Sequence, residues 1–477
     1  MSDTSSDTVP HAQADAEQPL SVSERVCYSL FNGADYLIKS IIGKYMFFFY
    51  TTTFAIPPLW IAIGQPLVKL LDVATDPLVG EWSDRTRTKM GKRRPWILIG
   101  SITLGIVFPL SWMPTFVMFW EPMPSIVSIF VYFLLFKFLY YVTHTMAVVP
   151  YYALGAELSK DYQERTRIVG WRHLIGVPMT VVATLPFIFA TNPEYFDNEA
   201  TGVAVVMCGV GAIVIITGLL AAFGTRERAE ADAPDAPLPL KAALKITLGN
   251  RPFMFLVGTV FFYGVGQYFS ISFAAYLITY IIYDGDKSGF AILIGWATLC
   301  GAIVSMGLNL LIRHIGKTVE KVQMLKVCML LSLTVPLMAL VSFKPGEPYW
   351  YFLFHVLALP IGNTAIELLP LSIVADVCDV DELKSGRRRE GAFVGVYNSA
   401  FKTGYLLAPT LAMALLATTG FDGALTEQTA ETKALLETCL FWGCLVTFTG
   451  AFLLSLGIRL TRAEVEAAQQ QALERPA

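Results

Sequence analysis

The sequence predicts an all-α membrane protein with twelve transmembrane helices in two six-helix halves. Composition points there first. Of 477 residues, 55% are hydrophobic and 15% charged, against about 25% charged in soluble domains. The second observation is spacing. Apolar runs long enough to cross a bilayer, which takes about 20 residues, fall near 26–53, 55–80, 95–114, 125–153, 168–192, 202–224, 252–283, 289–312, 322–343, 349–375, 391–418 and 434–460. The third is a polar, proline-rich interruption that includes Ala231 to Pro239 and leaves six runs on each side. The expected organisation is a cytosolic tail over 1–24, a first half over 25–225, a cytosolic linker over 226–250, a second half over 251–461 and a cytosolic tail over 462–477.

Each element then needs an orientation. Arg85, Arg87, Lys89, Lys92, Arg93 and Arg94 follow the second run, and Lys160, Arg165 and Arg167 the fourth. Arg313, Lys317 and Lys321 follow the eighth, and Lys384, Arg387, Arg388 and Arg389 the tenth. The alternate loops hold little more than Lys287, Lys344 and Lys433. Basic loops stay on the cytoplasmic side, so both termini are expected in the cytoplasm of a cell (inner or plasma) membrane. The first 20 residues are acidic and lack an apolar h-region, so they read as a tail and not as a cleaved signal.

Several function classes lose support at this stage. The seven cysteines are scattered and form no CxxC pair, so neither a disulfide framework nor a metal site is expected. There is no Gly-rich phosphate loop, no nucleophile elbow and no HExxH. His144, His173, His314 and His355 are dispersed over different runs. An enzyme, a cofactor and a nucleic-acid partner are therefore not expected. The tails are too short for the soluble domain of a sensor. A monomer in contact with membrane lipid is expected.

The informative residues are the charges inside apolar runs, which cost roughly 2.5–3.5 kcal/mol each on insertion scales and usually mark ion or substrate pathways. In the second run Gln65, Lys69, Asp72 and Asp76 stand at i, i+4, i+7 and i+11, one face of a helix. Two apposed carboxylates suit a hard cation or, because like charges raise one pKa, a proton. The same residues can equally form a static ion-pair network. In the first run Asn32, Asp35 and Lys39 share a face. There a carboxylate can accept two sugar hydroxyls, or Asp35 and Lys39 can simply pair. In the fourth run Lys137, His144 and Val148 share a face. These suit an acidic solute, a pairing of Lys137 with Glu367, snorkelling of the Lys137 stem or a hydrogen-bonded core histidine. Arg172 offers a planar five-donor fork for hydroxyls or a carboxylate, and Tyr152 a ring face for a pyranose.

The stretch Asp72-Val-Ala-Thr75-Asp76-Pro77-Leu-Val-Gly80, followed by Asp84-Arg85 through Gly91-Lys-Arg-Arg94-Pro95-Trp96, resembles the signature of the glycoside–pentoside–hexuronide:cation symporters. Ala375-Asp376-Val-Cys-Asp379-Val-Asp-Glu382, then Gly386 to Gly391 and Phe401-Lys402-Thr-Gly404, resembles that family's second signature. The resemblance covers roughly 25–460. It implies a major facilitator fold and sugar uptake driven by H⁺, Na⁺ or Li⁺. It also implies that Asp72, Asp76 and Thr75 bind the cation and that Lys402 and Lys69 couple it. On the same footing, Asp35, Arg172 and Tyr152 contact sugar. Val148 stands where the family has an aspartate, and Glu367 where it has a tryptophan. Lost acidity at Val148 points toward H⁺ and a non-galactoside substrate.

Two further expectations follow. Ala156-Glu157 with Arg165 to Arg167, and Ala375-Asp376 with Arg387 to Arg389, look like diverged copies of one element. The basic loop is then a candidate gating latch, with Asp84, Arg85 and Arg94 on one side and Asp376, Asp379, Glu382 and Arg389 on the other. The expected activity is cation-coupled symport of a sugar, glycoside or hexuronide. The alternative is a lysolipid or amphiphile carrier of the same fold.

Overall fold

The computed structural model describes residues 20–118, 125–159, 161–228, 247, 249–385 and 389–474. The expected first tail, apart from its last residues, and most of the expected linker lie outside them. So do Lys160, Arg387 and Arg388. The described chain is all-helical, with one isolated bridge at Thr88 and Gly91. It divides into two compact units, residues 1–42 with 67–234, and 43–66 with 235–477.

The first unit is built from α1 (Val22–Ile41), most of α3 (Pro58–Arg85), α4 (Arg94–Leu110), α5 (Ile126–Glu157), α6 (Tyr162–Val182) and α7 (Glu199–Gly224), with α2 (Phe47–Thr53) belonging to the second. Side-chain caps start four of these helices. Ser21 and Glu24 form a reciprocal capping box on α1, Ser125 caps α5, Asp161 caps α6 and Asn198 caps α7. These acceptors satisfy N–H groups that a helix start leaves without partners. The second unit continues with α8 (Arg251–Leu277), α9 (Lys287–Ile315), α10 (Lys321–Leu331), α11 (Thr334–Ser342), α12 (Pro348–Leu357), α13 (Leu359–Ser385), α14 (Glu390–Thr418), α15 (Ala430–Leu456) and α16 (Arg462–Glu474). In it α8 packs on α14 and α15, and α16 on α13.

Among the described residues nine helices are long and apolar enough to cross a membrane. They coincide with the last nine expected runs to within a few residues at most ends. The remaining three runs are helical too, but differ for physical reasons. Arg94–Leu110 is apolar but short. The helices carrying the first two runs hold the buried Asp35 and Asp72. The outward faces agree with a lipid solvent. On α9, Leu299, Ile303, Met306 and Leu310 recur at i, i+4, i+7 and i+11, and all are exposed. A stripe of that kind needs a hydrocarbon environment.

Without a hydrophobic drive between helices in lipid, close backbone approach supplies the packing. Helices α4 and α7 meet at Gly105 and Gly211. A Cβ on Gly105 would lie 2.6 Å from the Gly211 carbonyl oxygen, and one on Gly211 would lie 2.3 Å from that of Gly105. Gly211→Val is therefore expected to destabilise the bundle by about 1–3 kcal/mol or more. Gly209→Val, where no atom lies within 4 Å, should be neutral. Thermal unfolding of the two variants in detergent checks the contrast.

Candidate functional site

Asp35 is the best-connected deep charge. It is 2% exposed, and a buried carboxylate must be paired or hydrogen-bonded. On its own helix Lys39 Nζ lies 2.7 Å from Oδ2. From α5, His144 Nε2 lies 2.8 Å from Oδ1, and the Tyr152 hydroxyl donates to Oδ2 at 3.1 Å. Arg172, from α6, sits with its guanidinium carbon 4.5 Å from the centroid of the Tyr152 ring. Its Nε donates to Asn32 Oδ1 at 3.3 Å, and Asn32 Nδ2 donates back to the Arg172 carbonyl at 3.0 Å. Residues 32, 35, 39, 144, 152 and 172 thus form one polar cluster on three helices. The Asp35–Lys39 pair and the hydrogen-bonded histidine, both open alternatives in the sequence, are present within it. Tyr152 meets the cluster through its hydroxyl and lends its ring to Arg172.

A second cluster lies on α3 and α5. Asp72 pairs with Lys69 on its own helix. The Thr145 hydroxyl, from α5, reaches Asp76 Oδ1 at 2.9 Å and Asp72 Oδ1 at 3.4 Å. The two carboxylates are thereby joined through one hydroxyl. Thr75 donates to the Asp72 backbone carbonyl at 2.8 Å, so its hydroxyl is engaged within its own helix. Lys69 Nζ lies 4.2 Å from the centroid of the Tyr141 ring, and the buried Lys137 Nζ lies 5.8 Å from the same centroid. Val148 is buried on α5 and brings no ligand. The sequence reading missed Thr145 and Tyr141. The only available signal was their helical spacing from Lys137, at i+8 and i+4, inside an ordinary aromatic run.

The two clusters touch the same short piece of chain. His144 faces Asp35 of α1, and its neighbour Thr145 faces Asp72 and Asp76 of α3. Successive residues on a helix point about 100° apart, so one turn of α5 can address two neighbouring helices.

The loop joining α3 to α4 is organised within the first unit. Arg93 reaches Asp84 and Glu157, with Glu157 Oε1 3.1 Å from Nη2, and donates to Ser83 Oγ at 2.7 Å. Glu227 accepts the backbone N–H groups of Lys92, Arg93 and Arg94 at 2.8, 2.8 and 3.1 Å. Gly91, at φ +104°, permits that approach, because a Cβ there would lie 2.4 Å from the Glu227 carboxyl carbon. Arg94 donates to the Ala222 carbonyl, and Arg85 pairs with Glu81 at the surface. Arg93→Met is expected to lower stability by about 1–3 kcal/mol, since it takes the guanidinium from buried Glu157 and from Ser83 while Lys92 Nζ, 3.2 Å from Glu157 Oε1, keeps that carboxylate paired. Arg85→Met should change it by less than about 1 kcal/mol. Thermal unfolding reads both.

The second unit repeats part of this pattern. Asp376 of α13, which aligns with Glu157, pairs with Lys321 at the start of α10 at 2.7 Å, as Glu157 pairs with Arg93 at the start of α4. A π-helical stretch follows the first long helix of each sequence half, Ile42–Met46 after α1 and Ile278–Ile282 after α8. These shared features strengthen the internal repeat that the sequence suggested only faintly. Asp379 accepts from Gln469 at 2.8 Å, and Arg389 holds Asp381 at 2.7 Å. Glu382 lies near the end of α13, Glu367 is exposed on the same helix, and Lys402 is exposed on α14.

A bundle of apolar helices that holds charged clusters around Asp35 and Asp72 in its interior is the build expected of a membrane carrier. The chain belongs to the MFS/sugar transport protein family, whose sequence profile matches residues 27–462. Its relatives include the inner membrane symporter YicJ of Escherichia coli (strain K12), 26% identical and covering 87% of each chain. They also include the sodium-dependent lysophosphatidylcholine symporter 1 of Xenopus tropicalis, 23% identical over 79% of this chain and 75% of that one. A solved structure of a bacterial homologue of the human lysosomal transporter Spinster shares the fold at TM-score 0.65 and 16% identity, covering 98% of this chain and 99% of that chain. The protein is a multi-pass membrane transporter of the major facilitator type, and its family is one of carriers, not enzymes.

Proposed function

We propose that the protein is a cation-coupled symporter, driven by H⁺ or Na⁺, that takes up a sugar, glycoside or hexuronide across the cell membrane by alternating access. The observation that carries this reading is the join at His144 and Thr145. One turn of α5 contacts the Asp35 cluster and the Asp72/Asp76 pair, which gives the two ligands a short physical route for coupling. In this reading Asp35, Arg172, Tyr152, His144 and Lys39 bind substrate. Lys39 is the donor that yields Asp35 to a sugar hydroxyl, because its side chain is 43% exposed while that of His144 is 14% exposed. Asp72 and Asp76 take the ion, Thr75 borders them, and Lys69 is a coupling residue beside them. The role of Lys402 in coupling follows from the family resemblance. That of Glu367 in substrate binding rests on a carboxylate standing where the family has a tryptophan, and the gating role of the loop residues on the charge density of those loops. Basic loops after the even-numbered runs support cytoplasmic termini. No cofactor enters this mechanism.

The test uses substrate-free proteoliposomes challenged with a panel of neutral glycosides and uronides, with and without a Na⁺ gradient, while internal pH and solute uptake are followed. Concentrative uptake that Asp76→Asn abolishes is the expected result. Silence across the panel together with uptake of lysophosphatidylcholine would overturn the sugar assignment in favour of an amphiphile carrier.

A further inference from the structure

Among the described residues Arg172 is paired with no carboxylate. It stands inside the membrane-length helix Gln163–Ala190, where a charge is costly unless something compensates it. Its ionisable neighbours are the phenols of Tyr28, Tyr36, Tyr151 and Tyr152, which carry no charge at neutral pH. Asp35, the acid of the cluster, is already engaged on both oxygens. Its Oδ2 holds Lys39 Nζ at 2.7 Å and the Tyr152 hydroxyl at 3.1 Å, and its Oδ1 holds His144 Nε2 at 2.8 Å. Val148, one turn before Tyr152 on the same face of α5, is buried and brings no second acid.

The guanidinium is also held in place. Its Nε donates at 3.3 Å to Oδ1 of Asn32, a residue 1% exposed, and Asn32 Nδ2 donates back to the Arg172 carbonyl at 3.0 Å. Gly176, one turn further along α6, permits that approach, because a Cβ there would lie 2.6 Å from Asn32 Nδ2. The guanidinium carbon lies 4.5 Å from the centroid of the Tyr152 ring, a cation–π contact. Nε is thereby committed, and the terminal nitrogens form the edge that a carboxylate takes through two parallel bonds. A neutral hexoside can offer hydroxyls to that edge but leaves the charge of Arg172 uncompensated. A carboxylate on the solute meets the same donors and supplies the missing negative charge. We infer that Arg172 is a specificity-determining residue that receives a carboxylate of the solute, so that the substrate is an acidic sugar of the hexuronide type and not a neutral hexoside. The inference rests on the reading of this cluster as the sugar site, and it narrows the substrate class left open there.

The test compares matched ligands. Purified full-length protein is titrated calorimetrically with a methyl hexuronide, its neutral uronamide and the parent methyl hexoside, in the gluco and galacto series. Unfolding temperature is recorded for every variant. The wild type should bind one uronide at least about tenfold more tightly than its uronamide and its hexoside, since two charge-assisted hydrogen bonds replace two neutral ones. Arg172→Gln should bring that ratio toward one. Arg172→Lys, which keeps the charge but loses the planar fork, should retain part of it. Val148→Asp, which returns a carboxylate to this face of α5, should also lower the ratio by weakening the uronide.

A wild type that binds the hexoside as tightly as the uronide would overturn the inference, whether or not any variant folds. So would a uronide preference that survives intact in folded Arg172→Gln. Absence of binding by every ligand in both series reads differently, because it removes the sugar reading itself and this inference with it, whereas tight binding of a hexoside alone removes only the inference.

Discussion

Asp35→Asn is expected to weaken substrate binding at least about thirtyfold, with loss of uptake at substrate concentrations that saturate the wild type. The size follows from burial. Removing one partner of a buried, hydrogen-bonded charge set costs about 2–5 kcal/mol, much of it from the charge left behind. Here Lys39 would stay beside a neutral amide, and His144 and Tyr152 would lose an ionised acceptor. Equilibrium binding to purified protein, with unfolding temperature measured alongside, separates two roles. If Asp35 receives substrate, affinity falls further than stability accounts for. If Asp35 only fastens α1 to α5, the unfolding temperature falls while the folded fraction binds normally, and the substrate assignment is lost. Tyr152→Phe removes a single donor and should cost a smaller fraction, about 1 kcal/mol.

What the sequence could show about these clusters depended on how far apart their partners lie. Asp35 with Lys39, and Lys69 with Asp72 and Asp76, share helical faces, so spacing alone brought them together. Long apolar runs likewise gave the nine membrane-length helices almost to their ends. Partners on other helices were invisible. Thr145 reaches Asp76 across 69 positions, and Glu227 reaches the Lys92 amide across 135. A hydroxyl within an aromatic run, or a glutamate at the edge of a polar linker, carries no pattern until the fold brings its partner near. The internal repeat sits between these cases. Glu157 and Asp376 were legible as a weak motif match, and their equivalent bases, Arg93 and Lys321, became evident only in the structure.

Thr145→Val is expected to uncouple the two ligands while leaving both able to bind. Coupling is a free energy shared by two sites, typically about 1–3 kcal/mol, so saturating ion should raise substrate affinity by roughly 5–150-fold in the wild type. The Thr145 hydroxyl of α5 lies within hydrogen-bond distance of both acidic residues, and the residue before it holds Asp35. A change of ion occupancy that shifts Thr145 must also move His144, because the two share a helical backbone. Valine keeps the shape but removes the hydrogen bonds, so occupancy at Asp72 and Asp76 would no longer pull on α5. The measurement is the ratio of substrate dissociation constants at high and low ion activity. That ratio should fall toward one in Thr145→Val and recover in Thr145→Ser. His144→Gln should instead weaken substrate at both ion activities, with much of the ratio retained. A purely structural Thr145 would lower stability without changing the ratio, and that outcome would break the link between the two clusters on which the symport reading stands.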